Sequence, residues 1–428
     1  MAQFNHTILM QLRRSNLFMS RLQPRTPISA APLPGETRQH KQPTSVPLRI
    51  FATCLTSVIV AVHYTNYGPL IPTLIGDLHI TGGQAGLLST FLFLGLAVMY
   101  IPAGALADRF GQRPVLIASS ILLVIGAILL PLSPNFFWIL VCRFVVGLGS
   151  GAAFVAGAGV ASNLGKYSSL GQGIYGGSVQ IGSGLGLLLT PELLTQFGWR
   201  GSFLIWGLIG ISSILIWLFV DDGQEAHKTN NINIGTAVRS PAVWTLGLSH
   251  MGTFGLGNAI AAWIAVYLAY QYGVPLALAA TLGSVALLTG VFFRPLGGIF
   301  IARRVIGTIP LLRLGTILGS AGVGLLAIPL RFPPLAFLGM ACIAIGATIP
   351  YTSVFNEAAH LRNISKGVAQ GMVSMISTPT LLLGPPLIGF LFGNTHSFTL
   401  AFGSILLFGS IAITASFLAG PAVKRETT

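Results

Sequence analysis

A chain of 428 residues that is 53% hydrophobic and only 7% charged, with a mean hydropathy of +0.79, has too little polar surface to solvate a compact globule, which excludes a soluble domain and implies a lipid environment. The formal net charge of +14 argues for nucleic-acid binding only if the basic side chains share one face. Here they are scattered through short loops and a proline-containing tail, so that reading is set aside and no nucleic-acid partner is expected.

Residues 1–47 are polar, rich in Pro and Arg, and free of acidic residues before Glu36, a composition expected of a disordered cytoplasmic tail. Their short apolar runs and the lack of a small-residue cleavage site argue against a secretory signal peptide. An organellar transit peptide shares the Arg-rich, acid-poor composition, and Met19 offers an alternative start. Twelve apolar stretches follow, near 49–70, 84–107, 113–132, 136–161, 169–191, 201–220, 242–269, 277–301, 308–330, 334–356, 367–392 and 398–420. Each approaches the ~20 residues a helix needs to cross a hydrocarbon core. The fold class expected is an all-α integral membrane protein of twelve transmembrane helices. Between its sixth and seventh stretches lies the longest polar segment of the interior, 221–240, which divides the spans into a half at 48–220 and a half at 241–421, with a short tail at 422–428.

Charge orients these spans. Arg13, Arg14, Arg21, Arg25, Arg38, Lys41 and Arg49 precede the first helix, and Arg109, Arg113, Lys166, Lys228, Arg239, Arg303, Arg304, Arg313, Arg362, Lys366, Lys424 and Arg425 fall on the same face of a twelve-span layout. The opposite loops carry Arg200 and Arg331. By the positive-inside rule both termini are expected in the cytoplasm, and compact loops suggest a bacterial inner membrane.

Between the second and third spans, residues 104–113 read GALADRFGQR, a charged turn whose Gly104 and Gly111 permit close helix contact and a tight bend. YIPAGALADR at 100–109 aligns without a gap to RPLGGIFIAR at 294–303, matching Gly104 to Gly298 and Arg109 to Arg303, and Gln172-Gly173 answers Gln370-Gly371. These matches fall in corresponding spans and favour an internal duplication into two pseudo-symmetric six-helix halves.

The layout, the 104–113 loop, Arg143 followed by Gly147 and Gly151, and GWRGSF at 198–203 together resemble the major facilitator superfamily over residues 49–420. The resemblance implies a transporter that alternates between outward-open and inward-open states, with substrate near the midplane between the halves. It also implies gating roles for Gly104, Asp108, Arg109, Gly111, Arg113, Arg143 and Arg303. Asp108 would lie near the start of the eleventh helix around Lys366, where a helix dipole favours a carboxylate; the alternative is that it only ends a helix and sets topology.

Two charges stand plainly inside spans, Arg143 and Arg294, and ionisable groups there mark cavities or partners. The RPLGG context of Arg294 is similar to nitrate and nitrite porters, in which the arginine contacts the anion, and a guanidinium grips an oxyanion through paired hydrogen bonds. Tyr100 stands where those porters keep a second arginine and could donate from its phenol. Alternatively, Arg294 braces a gate beside Arg303 and Arg304. His63 and Asn66 on the first span, His250 and Asn258 on the seventh, Tyr175 and Gln180 on the fifth and Tyr351 on the tenth are the remaining candidates for the substrate site, either histidine being able to carry a coupling proton or simply to pack.

Cys54, Cys142 and Cys342 lie in spans without metal-ligand spacing and read as packing residues. No catalytic constellation, metal site or cofactor is expected, and no Walker-type glycine loop is present. The function expected is a secondary transporter of a small solute, with an anion as the candidate class, coupled to protons or to solute exchange and acting as a monomer. A multidrug or hydrophobic-compound proton antiporter is the alternative.

Overall fold

The computed structural model describes residues 44–164, 168–222 and 234–427; the side chains of Asp108 and of residues 168–170 also lie outside the described set. The expected tail before residue 44, most of the 221–240 linker and Lys166 therefore fall outside it. Regular structure among the described residues is entirely helical.

Among the described residues, eleven helical segments are long and apolar enough to cross a membrane. One of them, Ser168–Phe219, holds Gly198 at φ 66°, a left-handed conformation that ends one helix and starts the next. It is thus two spans, and the described residues hold the expected twelve: α1 (Val46–Leu78), α2 (Gly82–Phe110), α3 (Gln112–Leu132), α4 (Phe136–Ser162), α5 (168–197), α6 (199–219), α7 (Pro241–Tyr272), α8 (Leu276–Ala302), α9 (Thr308–Ala327), α10 (Pro333–Ala359), α11 (Lys366–Thr395) and α12 (Phe398–Thr427). Large apolar side chains such as Phe51, Leu215, Phe292, Phe390 and Leu407 are exposed around the bundle, the surface a bilayer covers.

Local chemistry sets the helix starts. A capping box begins α2, with Thr81 accepting from Gln84 N at 3.2 Å and Gln84 Oε1 accepting from Thr81 N at 2.8 Å. Asn135 and Ser240 cap α4 and α7 with single bonds, accepting from Trp138 N at 3.2 Å and from Val243 N at 3.1 Å. Several spans are interrupted. A 3₁₀ turn at Gly68–Leu70 carries α1 past Pro69 to Leu78, further than the expected 49–70. In α7 a π-helical segment spans Met251–Gly255, while α10 breaks before Tyr351 at Pro350 and α11 before Pro379. The last helix runs on to Thr427 rather than stopping near 420. Glu426 holds that end by accepting from Ser240 Oγ at 2.5 Å and from Ala242 N at 3.0 Å.

Glycines let helices touch backbone to backbone. A Cβ on Gly147 would sit 2.0 Å from Leu92 O, locking α4 onto α2, and one on Gly182 would sit 2.2 Å from Val58 O, locking α5 onto α1.

The two halves meet tightly on the side away from the chain ends. There a Cβ on Gly82 would be 2.6 Å from Gly389 O, and Thr90 Oγ1 donates to Leu382 O at 2.5 Å. On the side of the chain ends the halves part around a cavity of about 780 Å³, lined from the first half by Gly104, Gln112, Phe154 and Gln172 and from the second by Pro295, Tyr351, Phe355 and Ser374.

Candidate functional site

The break at Pro350 turns Tyr351 toward α8, where Arg294 is 2% exposed. The guanidinium carbon of Arg294 lies 4.3 Å from the centre of the Tyr351 ring, a cation–π contact. Nη1 donates to Gly176 O of α5 at 2.5 Å, across the interface between halves, while Nε is buried without a partner. The groups in electrostatic reach of this cation are the phenols of Tyr351, Tyr64 and Tyr175 and the imidazole of His250; no carboxylate among the described residues is one of them. A buried cation without a counter-charge is costly, so the site is electrostatically incomplete and suited to an anion.

Aromatic rings surround it. Tyr351 packs on Phe355 at 4.7 Å, His250 stacks on Phe254 at 5.5 Å and meets Phe355 edge-on at 5.3 Å, and Phe154 lies between Tyr100 (6.2 Å) and Tyr175 (5.7 Å). The Tyr175 hydroxyl is committed, donating to Phe154 O at 2.7 Å, and His250 Nδ1 is 2.9 Å from Thr253 Oγ1. Gln180 and Asn258 share with Arg294 the wall of a narrow cleft between α5, α7, α8 and α10, where Asn258 Nδ2 donates to Phe254 O at 2.9 Å.

Thus Arg294, Tyr100, Tyr175, Tyr351, His250, Gln180 and Asn258 converge as one constellation. His63 and Asn66 do not join it. They surround Arg143, which is fully buried and donates to His63 O at 3.0 Å, Leu88 O at 3.0 Å and Asn66 Oδ1 at 3.4 Å, with its guanidinium 5.1 Å from the Tyr67 ring. All three nitrogens are engaged, so Arg143 ties α1, α2 and α4 together within one half. His63 Nε2 is left buried and unpartnered.

The charged turn has its own geometry. Gly111 ends α2 at φ 89°, and Arg113 reaches the end of α6, donating from Nε to Trp217 O at 2.9 Å and from Nη2 to Leu218 O at 2.6 Å, while its backbone N donates to Asp222 Oδ2 at 2.9 Å. Arg313 repeats the device in the second half, donating from α9 to Ser416 O at 3.2 Å and Phe417 O at 3.4 Å of α12. Gly104 lines the cavity, Arg109 is exposed and stacks on Phe110 at 5.1 Å, and Arg303 is exposed at the end of α8.

Sequence reasoning missed Tyr64, Phe154 and Phe355 beside Arg294, and the Arg313 hook. Phe355 follows Tyr351 by one helical turn, a spacing that was there to be read; the others carry no local signal. Among the described residues no cluster of His, Cys, Asp and Glu could hold a metal ion, and all three cysteines are free.

Comparison with known proteins agrees with this architecture. The chain is 27% identical over 379 residues to the nitrite extrusion protein of Bacillus subtilis, covering 85% of this chain and 90% of that one. It is 24% identical over 420 residues to the probable anion transporter 6, chloroplastic, of Arabidopsis thaliana, covering 88% and 79%. A solved structure of a bacterial homologue of the human lysosomal transporter Spinster, inward-facing and unoccupied, superposes with a TM-score of 0.71 at 19% identity, covering 89% of this chain and 99% of the other. The family profile of the Major Facilitator Superfamily matches residues 53–378, three-quarters of the chain, so this integral membrane protein, a transporter and not an enzyme, belongs to the Major Facilitator Superfamily.

Proposed function

We propose that this protein is a secondary active transporter that carries a small anion across the membrane by alternating access, with Arg294 as the cation that receives it. One observation carries the reading: Arg294 is buried at the interface of the halves, without a carboxylate partner among the described residues, beside phenols that can donate hydrogen bonds. An anion supplies the missing charge, and the Tyr351 and Tyr100 hydroxyls, which have no hydrogen-bond partner among the described residues, complete its shell. The names of the relatives, a nitrite extrusion protein and an anion transporter, point to the same substrate class.

With the positive-inside bias placing both termini in the cytoplasm of a bacterial cell, the cavity opens inward and the contact of α2 with α11 closes the outside. His250, next to Arg294, is the residue best placed to carry a coupling proton, and the constellation is completed within one chain, as a monomeric carrier requires. Gly104, Asp108, Arg109, Gly111, Arg113 and Arg303 take the gating role on the cytoplasmic side, and Arg143 keeps the first half rigid as it rocks. The aromatic walls would also suit a hydrophobic cation, but among the residues described around the cavity none is a carboxylate, and the cation already there would repel it.

Uptake into proteoliposomes tests the proposal. Saturable flux of nitrate, nitrite or short carboxylates that is abolished in Arg294→Ala supports it. Flux of cationic dyes that survives the substitution replaces it with multidrug export.

A further inference from the structure

Arg294 stands between two spaces of opposite character. Tyr351, stacked against its guanidinium, lines the wide cavity, whereas Arg294 itself forms part of the wall of the narrow cleft, together with Gln180 and Asn258. Every other lining residue of the cleft is apolar or glycine, among them Ile260, Ile264, Leu287, Met340 and Ile343. Its volume of about 40 Å³ corresponds to roughly three water-sized spheres of about 10–15 Å³ each, and an apolar space of that kind holds carbon better than water. Gln180 is 7% exposed, lies against Gly290 and makes no hydrogen bond among the described residues, leaving a free amide donor in the same cleft as the cation.

An inorganic oxyanion would use the cation and leave the cleft empty. From this juxtaposition, and resting on the anion reading above, we infer that the substrate is an amphipathic monocarboxylate of about three to five carbons. Its carboxylate pairs with Arg294 and Gln180, and its aliphatic tail fills the cleft between α7, α8 and α10. The single cation limits the charge to one, because a second carboxylate would be buried among Ile and Met side chains without a partner.

The test is competition against labelled propionate uptake in proteoliposomes by formate, acetate, propionate, butyrate, valerate, hexanoate, nitrate and nitrite. Burial of each methylene is expected to tighten inhibition about fourfold up to butyrate or valerate, after which the full cleft reverses the trend. Ala286→Leu, which adds three carbons to the cleft wall, is expected to move the optimum to acetate or propionate. An inhibition series that is flat, or is led by nitrate, nitrite or formate, while remaining dependent on Arg294 overturns this inference and leaves anion transport standing. Inhibition that persists unchanged in Arg294→Ala overturns the anion reading itself.

Discussion

Replacing Gly86 by alanine should push the transporter out of the conformation seen here. A Cβ at this position would lie 2.4 Å from both the N and Cα of Pro386 and 2.6 Å from the carbonyl carbon of Pro385. Ordinary contact between such atoms is about 3.5–4.0 Å, so α2 and α11 must separate by roughly 1–1.5 Å. The obstructing atoms are backbone and cannot rotate away. Overpacking of this kind costs about 1–3 kcal/mol. Because α2 and α11 belong to different halves, the strain falls only on states in which this side is closed, and rocking the halves relieves it. A cost of about 1–3 kcal/mol corresponds to a shift of about 5–150-fold in the ratio of the two states. The assay uses a background in which Cys54, Cys142 and Cys342 are replaced by serine. A single cysteine is then introduced either as Thr352→Cys, lining the open cavity, or as Thr90→Cys, at the closed contact. Gly86→Ala should slow maleimide labelling at position 352 and accelerate it at position 90. Unchanged rates at both positions in a folded, monodisperse variant would refute the reasoning.

Four further outcomes follow from the same geometry. Tyr351→Phe keeps the ring on Arg294 and removes only the hydroxyl, so KM for the anion should rise a few-fold, whereas Tyr351→Leu also removes the cation–π contact and should raise it about tenfold. Arg113→Ala should lower the thermal unfolding midpoint in detergent through loss of about 1–3 kcal/mol of bonding to Trp217 O and Leu218 O, with Arg113→Lys recovering only part because an ammonium lacks the fork that reaches both carbonyls. Gly111→Ala should cost about 1–2 kcal/mol by the same measurement, since φ 89° is a conformation that side chains resist. An inward proton gradient should raise the initial rate of anion uptake in wild type and not in His250→Gln; equal stimulation in both would remove His250 from the coupling role.

The spans were legible because apolar runs of the right length have few other fates, and even the division between α5 and α6 was written in Gly198, whose positive φ interrupts an otherwise continuous helix of 52 residues. Arg294 was legible for a related reason: a charge deep in a span has to serve something. What periodicity could not supply was the rotation of each helix. His63 and Tyr64 are neighbours in α1, yet a step of about 100° sends one to the Arg143 cluster and the other toward Arg294 and Tyr175. The grouping of His63 and Asn66 with Arg294 rested on depth in the membrane alone and therefore joined two clusters that the packing keeps apart. The cleft beside Arg294 had no signature in the sequence either, since its walls come from α5, α7, α8 and α10 and their residues are individually ordinary for a membrane helix.

The central claim is that an anion completes the charge of Arg294. Calorimetric titration of propionate into the purified protein, wild type against Arg294→Ala and Arg294→Lys, tests it most directly. Loss of charge-assisted hydrogen bonds worth about 1.5–3 kcal/mol should weaken binding about 10–150-fold in Arg294→Ala, with partial recovery in Arg294→Lys. Equal affinity in all three proteins, each folded by its thermal transition, would contradict the account and move the substrate away from Arg294.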